Sequence, residues 1–360
     1  VAMRSGAIPE AAGRAVRELN PAYFGMVMAT GIVSIAAKAQ HWDVLSTVLF
    51  AIAGVAYAVL VLMNLARLLR FRQVVALDLR VPTRTFGFFT IVAATGVLGS
   101  RVMLDGQLAA AVVFLAVTAG LWLVLGYLLP PLAFSTGASE SQLERADGTW
   151  FLWVVATQSV AVLAAAVQPH VDTGRAQLAL LAVLCWSVGV FLYVAVALFV
   201  ASRVFIHQLR PGELSGAYWI AMGATAITVV AGANIAGMAD APILRVTQST
   251  IEAGSVIFWA FGTWLVPPLL FAGYWRHIRH RVPLSYDISF WSIVFPLGMY
   301  GVGSRQLGTV NDIPLLDTIG HVEIWVAVVA WALTFAGFLL TLVRWAQSAI
   351  ARTAERAGPG

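Results

Sequence analysis

Ten apolar stretches alternate with polar linkers along the 360 residues of the chain. They fall near 21–39, 46–67, 85–103, 108–130, 149–168, 176–202, 216–238, 249–274, 288–305 and 319–343. A helix needs roughly 20 mainly apolar residues to cross a bilayer. Proline, glycine and charge collect between the stretches, in RFRQVVALDLRVPTR, STGASESQLERADG, HQLRPGELSG and RHIRHRVPLSYD. The pattern predicts an all-α integral membrane protein of ten spans paired as five helical hairpins. It forms one domain over 20–345, with an N-terminal tail at 1–19 and a C-terminal tail at 346–360. Residues 1–19 lack the apolar core of a cleavable signal, so the first apolar run is expected to be a true span.

The odd-numbered spans repeat one another. The first reads Phe24-GMVM-Ala29-Thr30-Gly31, the third Phe89-TIVA-Ala94-Thr95-Gly96 and the fifth Phe151-LWVV-Ala156-Thr157-Gln158. The seventh reads Trp219-IAMG-Ala224-Thr225-Ala226, and the ninth opens alike with Trp291-SIVF before Pro296-Leu297-Gly298. A period near 65 residues fits one hairpin per repeat. The small residues suit close helix packing, and five such helices in a ring leave an axial path. Both readings stand together. The even spans are Leu/Val-rich, as in LVLMNLARLL and LWLVLGYLLPPL, and are expected to form an outer layer facing lipid.

The expected path is uncharged at mid-depth. Its candidate lining is Thr30, Thr95, Thr157 and Thr225 at the repeated position, with Gly31, Gly96, Gln158 and Gly223. In the ninth span Phe295 takes the place held by Met28, Ala93, Val155 and Gly223 in the others. Pro296 follows and is expected to kink the helix, since proline cannot donate the backbone hydrogen bond. Phe295 and Pro296 are therefore a candidate gate, with a packed core phenylalanine as the other reading. Lys38, Arg101 and Arg305 end odd spans and are a candidate basic ring at the pore mouth that would concentrate anions. Snorkelling to lipid head groups is the alternative.

Composition narrows the class. The chain is 60% hydrophobic and 11% charged, too few charges to cover a water-soluble globule. A single Cys185 excludes an intrachain disulfide framework or a thiolate metal cluster, and no cofactor is expected. The net charge of +5 is read as loop arginine, with no nucleic-acid partner. Seventeen of the 22 Lys and Arg residues fall on the side of both termini and the linkers after even spans. The other five are Lys38, Arg101, Arg175, Arg245 and Arg305. The positive-inside rule then puts both termini in the cytoplasm of a bacterial inner membrane. No HExxH, GxSxG or GxxxxGK[ST] motif occurs, so no enzyme is expected.

The segments PAYFGMVMATGIVSI, GTWFLWVVATQSVAVLAAAV and FWSIVFPLGMYGVGS resemble the tellurite-resistance and dicarboxylate transporter family, which includes the slow-type anion channels of plant guard cells. The resemblance covers about residues 20–345. It implies quasi-fivefold order of five hairpins around a central pore lined by the odd helices, assembly as a homotrimer, and occlusion by a phenylalanine of the ninth helix, here Phe295. The leading expectation is a gated passive channel for small monovalent anions such as chloride and nitrate. The alternative is a secondary transporter of four-carbon dicarboxylates, proton-coupled or not, or an exporter of sulfite or tellurium oxyanions. A carrier of that kind calls for a titratable or cationic group on the path, and the odd spans offer none at mid-depth.

Overall fold

The structure is a computed structural model and describes residues 13–135, 144, 146–207 and 209–356. Arg4 with the first twelve residues of the N-terminal tail, the linker residues 136–143, Arg145, and the last four residues of the C-terminal tail lie outside the described residues. The described chain is helical, without strands.

Ten helices carry the fold. They are α1 (Phe24–Ala39), α2 (Asp43–Arg70), α3 (Phe89–Leu104), α4 (Leu108–Ser135), α5 (Phe151–Val167), α6 (Arg175–Ile206), α7 (Ile220–Ala236), α8 (Leu244–Tyr274), α9 (Trp291–Val310) and α10 (Pro314–Arg356). Nine of these, with their flanking turns, are long and apolar enough to cross a membrane. The exception is α9, whose mean hydropathy is lowered by Arg305, Gln306 and several glycines. It is nonetheless an integral part of the bundle, packing on α7, α1 and α10. Gly301 and Gly320 let α9 and α10 approach closely: a Cβ on Gly320 would lie 2.5 Å from the Gly301 carbonyl oxygen. Helix α9 runs unbroken through Pro296. Proline there removes only the bond to the Ser292 carbonyl, four residues back.

The contacts close into two layers. Helices α1, α3, α5, α7 and α9 touch in that order, and α9 returns to α1. Each even helix lies outside, against the two inner helices on either side of it in the ring. In the most apolar stretches of α1, α3, α5 and α7, 72–89% of residues are buried, against 6–39% in the even helices. The inner layer is therefore the core, and the outer layer turns Leu, Val and Phe side chains outward, such as Leu62, Phe191, Phe205 and Leu333. The lone Cys185 is buried in α6.

A polar residue four positions before each repeated aromatic starts the inner helices. Asn20, Asp147, Ser215 and Asp287 each accept a hydrogen bond from the backbone N–H two residues on, satisfying a donor that the helix start leaves free. Burial pushes the Asp147 carboxyl above its usual range, against the lowering effect of its hydrogen bonds from Thr149. The second repeat differs. Thr85 stands at the matching position but donates to the Val81 and Asp78 carbonyls. The linker at 70–84, expected as loop, instead contains a helix over Arg72–Asp78 and the start of another over Pro82–Gly87.

Candidate functional site

The five inner helices enclose a cavity of about 620 Å³ whose lining comes from them and the turns that end them. The lining obeys the repeat. Counting from Met28, Ala93, Val155, Gly223 and Phe295, the residues four on are Ile32, Val97, Ser159, Ile227 and Met299, and all five line the cavity. So do the residues seven on, Ile35, Ser100, Val162, Val230 and Val302. So do those eleven on, Ala39, Leu104, Ala166, Asn234 and Gln306. At 3.6 residues per turn, steps of 4, 7 and 11 return to within about 40° of the starting direction. The reference residues thus share the axial face one turn below the cavity floor.

That turn is closed. Met28, Ala93, Val155 and Phe295 are at most 1% exposed, and Gly223 is buried with them. A Cβ on Gly223 would stand 3.3 Å from Phe295 Cδ1 and 2.9 Å from Pro296 Cγ. Gly223, expected as lining, is the seat against which the Phe295 phenyl and the Pro296 ring rest.

The threonines turn the other way. A step of two residues rotates the side chain by about 200°, to the back of the inner helix. Thr30 Oγ1 accepts from Trp331 Nε1 of α10 at 3.0 Å. Thr157 Oγ1 accepts from Trp122 Nε1 of α4 at 2.9 Å. Thr95 Oγ1 pairs with the Tyr57 hydroxyl of α2 at 2.8 Å, and Thr225 packs against Gly262 of α8. The first three hydroxyls fasten inner helices to outer ones, the Thr225 hydroxyl donates to the Met222 carbonyl of its own helix, and none of the four is part of the cavity lining. Thr157→Val is expected to leave Trp122 Nε1 without an acceptor and to cost about 1–3 kcal/mol. Denaturation in detergent measures that loss, and anion selectivity is expected to stay unchanged.

The remaining candidates divide. Gly96 lines the cavity and also leaves room for Ser159, 3.0 Å from where its Cβ would be. Gly31 accommodates Val97 between α1 and α3. Gln158 points to α6, where Nε2 donates to the Trp186 carbonyl at 3.2 Å and Gly189 makes space for the amide. Its Oε1 is buried without a hydrogen bond among the described residues.

The expected basic ring is incomplete and partly neutralised. Lys38 and Arg305 line the cavity where the inner helices end. Lys38 Nζ is 2.7 Å from Asp43, and Arg305 Nε is 2.9 Å from Asp317. Arg305 Nη1 donates to the Ala39 carbonyl and Gln40 Oε1, tying α9 to the end of α1. Arg101 is 1% exposed and absent from the lining. It donates to Ser34 and Ser46, pairs with Asp105 at 2.6 Å and lies over the Phe50 ring. It is an internal strut from α3 to the first hairpin. Sequence reasoning passed over Ser100, Ser159 and Gln306 as lining residues. Their 4, 7 and 11 spacing from the aligned position was the available signal.

Comparison with known proteins gives three findings. The family model described as voltage-dependent anion channel matches residues 18–339. An uncharacterized membrane protein of Mycobacterium tuberculosis is 54% identical over 149 residues, 41% of this chain and 76% of that one. An uncharacterized transporter of Methanocaldococcus jannaschii is 24% identical over 329 residues, 89% of this chain and 92% of the relative.

Proposed function

Because the chain belongs to the voltage-dependent anion channel family, we propose that it is a gated passive channel for small monovalent anions such as chloride and nitrate, and that Phe295 is the gate. The carrying observation is the axial register. Five helices present the same face to one cavity, and that face continues into a turn closed by a buried phenylalanine. Among the described residues no carboxylate lines the cavity, and the charged lining residues are Lys38 and Arg305 at the rim. A proton-coupled dicarboxylate carrier calls for a titratable group on the path, so this lining supports the channel over the carrier. The excess of arginine on the face of both termini orients the cavity to the cell exterior of the plasma membrane, with both termini cytoplasmic. Assembly as a homotrimer, carried over from the resemblance, is part of the same proposal.

The lining also supports a selectivity rule. Ser100 and Ser159 donate their hydroxyl protons to the Gly96 and Val155 carbonyls of their own helices. Little at mid-depth then replaces the water an anion leaves behind, and stripping a charge of its hydration is costly. Weakly hydrated anions should pass best. The expected permeability order is nitrate and iodide above chloride, with fluoride and sulfate last. Reversal potentials under two-anion gradients measure it, and an order led by fluoride or sulfate would refute the proposed pore.

A further inference from the structure

The cavity exceeds what a chloride ion needs. Its volume of about 620 Å³ lies in the roughly 300–1,000 Å³ range of pockets that hold small organic ligands. From Met299 at the floor to Gln306 near the rim, seven residues of α9 rise about 10 Å. The wall between is largely hydrocarbon, with Ile35, Leu104, Ile227 and Val302 on four different helices, and its polar groups are engaged: the Ser100 and Ser159 hydroxyls donate to carbonyls of their own helices and the Asn234 amide to the Val162 carbonyl. The rim holds two cations, Lys38 against Asp43 and Arg305 against Asp317. Arg305 uses Nε and Nη1 on Asp317, Ala39 and Gln40, and among the described residues no hydrogen bond takes up Nη2. Lys38 stands at the same height in the repeat, ten residues above Met28 as Arg305 is above Phe295.

An apolar cup with positive charge only at its lip is complementary to a molecule with a hydrocarbon body and one anionic end. We infer that the cavity binds short alkyl or aryl monocarboxylates, with the body against the wall above Phe295 and the carboxylate at Arg305 and Lys38, and that an occupant obstructs the axis. A dicarboxylate of equal length is rejected. Its second charge would sit among Ile32, Ile227 and Met299, where the one hydroxyl, of Ser159, already donates to the Val155 carbonyl and no cation pairs with it. The inference uses the same cavity as the channel proposal, but binding is measurable without conduction.

The test is calorimetry on the full chain in nanodiscs, titrated with butanoate, pentanoate, hexanoate, hexanol and adipate, with empty nanodiscs subtracted. Affinity is expected to rise about fourfold per methylene from butanoate to hexanoate, with hexanol and adipate at least tenfold weaker than hexanoate. Ala233→Phe, which fills the cup, is expected to abolish hexanoate binding. Val302→Asn, a milder change to the wall, should reduce the methylene increment, and Lys38→Gln should weaken all three carboxylates equally. Heats no larger than those of empty nanodiscs overturn the inference. So does a methylene increment that survives both wall substitutions, which would mean partition into lipid, or adipate binding as tightly as hexanoate. If hexanoate binds as expected while the Phe295→Ala protein passes no anions, the site stands and the channel proposal falls. If that protein conducts and hexanoate does not bind, the channel stands and the carboxylate site falls.

Discussion

Phe295→Ala is expected to turn a nearly silent protein into one that passes chloride and nitrate continuously in a planar bilayer. In the proposed gate the phenyl stands level with Met28, Ala93, Val155 and Gly223, all buried. For an anion to pass, that ring must leave its packing. The loss is comparable to truncating a buried phenylalanine, about 3 kcal/mol at the low end. A barrier lowered by that amount corresponds to a ~100-fold rise in flux. Phe295→Leu, which keeps much of the volume, should give an intermediate current. The permeability order should be the same in both variants, because the lining above the gate is unchanged. A folded Phe295→Ala protein that stays silent would put the main barrier elsewhere on the axis.

The axial level of Phe295 was legible in the sequence because the aromatic-x4-Ala-Thr repeat aligned the five inner helices. That alignment put Phe295 level with Met28, Ala93, Val155 and Gly223. The same repeat was misleading about the lining. Its most visible shared residue is threonine, two positions beyond the gate level and so about 200° around the helix. Thr30, Thr95 and Thr157 recur because an outer helix supplies a tryptophan or tyrosine to each hydroxyl. The lining residues four and seven positions beyond that level vary among Ile, Val, Ser and Met, where the wall asks only for small or apolar groups. A shared residue type marked a shared contact, and the shared cavity face had to be found by angle.

Charge was less legible than register. The sequence orders residues along a helix but does not say which carboxylate lies across from which base. Asp43 and Asp105 lie beside Lys38 and Asp317 beside Arg305, each from a neighbouring turn or helix start. Arg101, close in sequence to the mouth, folds inward to Ser34 and Ser46. The anion-attracting character of the rim is therefore weaker than the bare count of bases suggests.

Asp78→Asn carries the largest expected stability loss, about 3–5 kcal/mol, the usual result of removing one partner from a buried ion pair. Arg67, in the last turn of α2, has a fully buried side chain, and its Nη2 lies 2.5 Å from Asp78 Oδ2. Arg84 Nη1 reaches the other carboxylate oxygen at 2.7 Å. Arg67 Nε also donates to the Arg17 carbonyl, so one carboxylate anchors the segment before α1, the end of α2 and the helix leading into α3. Asparagine keeps the shape but leaves the Arg67 charge buried and uncompensated, with Nη1 already lacking a hydrogen bond among the described residues. Arg67→Met combined with Asp78→Leu removes both charges, and replacing a buried pair by apolar residues is often neutral. The double variant should therefore recover most of the loss. Denaturation of Arg67→Met, Asp78→Leu and the double variant in detergent gives the coupling directly. Equal losses in Asp78→Asn and the double variant would mean that the carboxylate acts through packing alone. Recovery in the double would mean that Asp78 is needed only because Arg67 is charged.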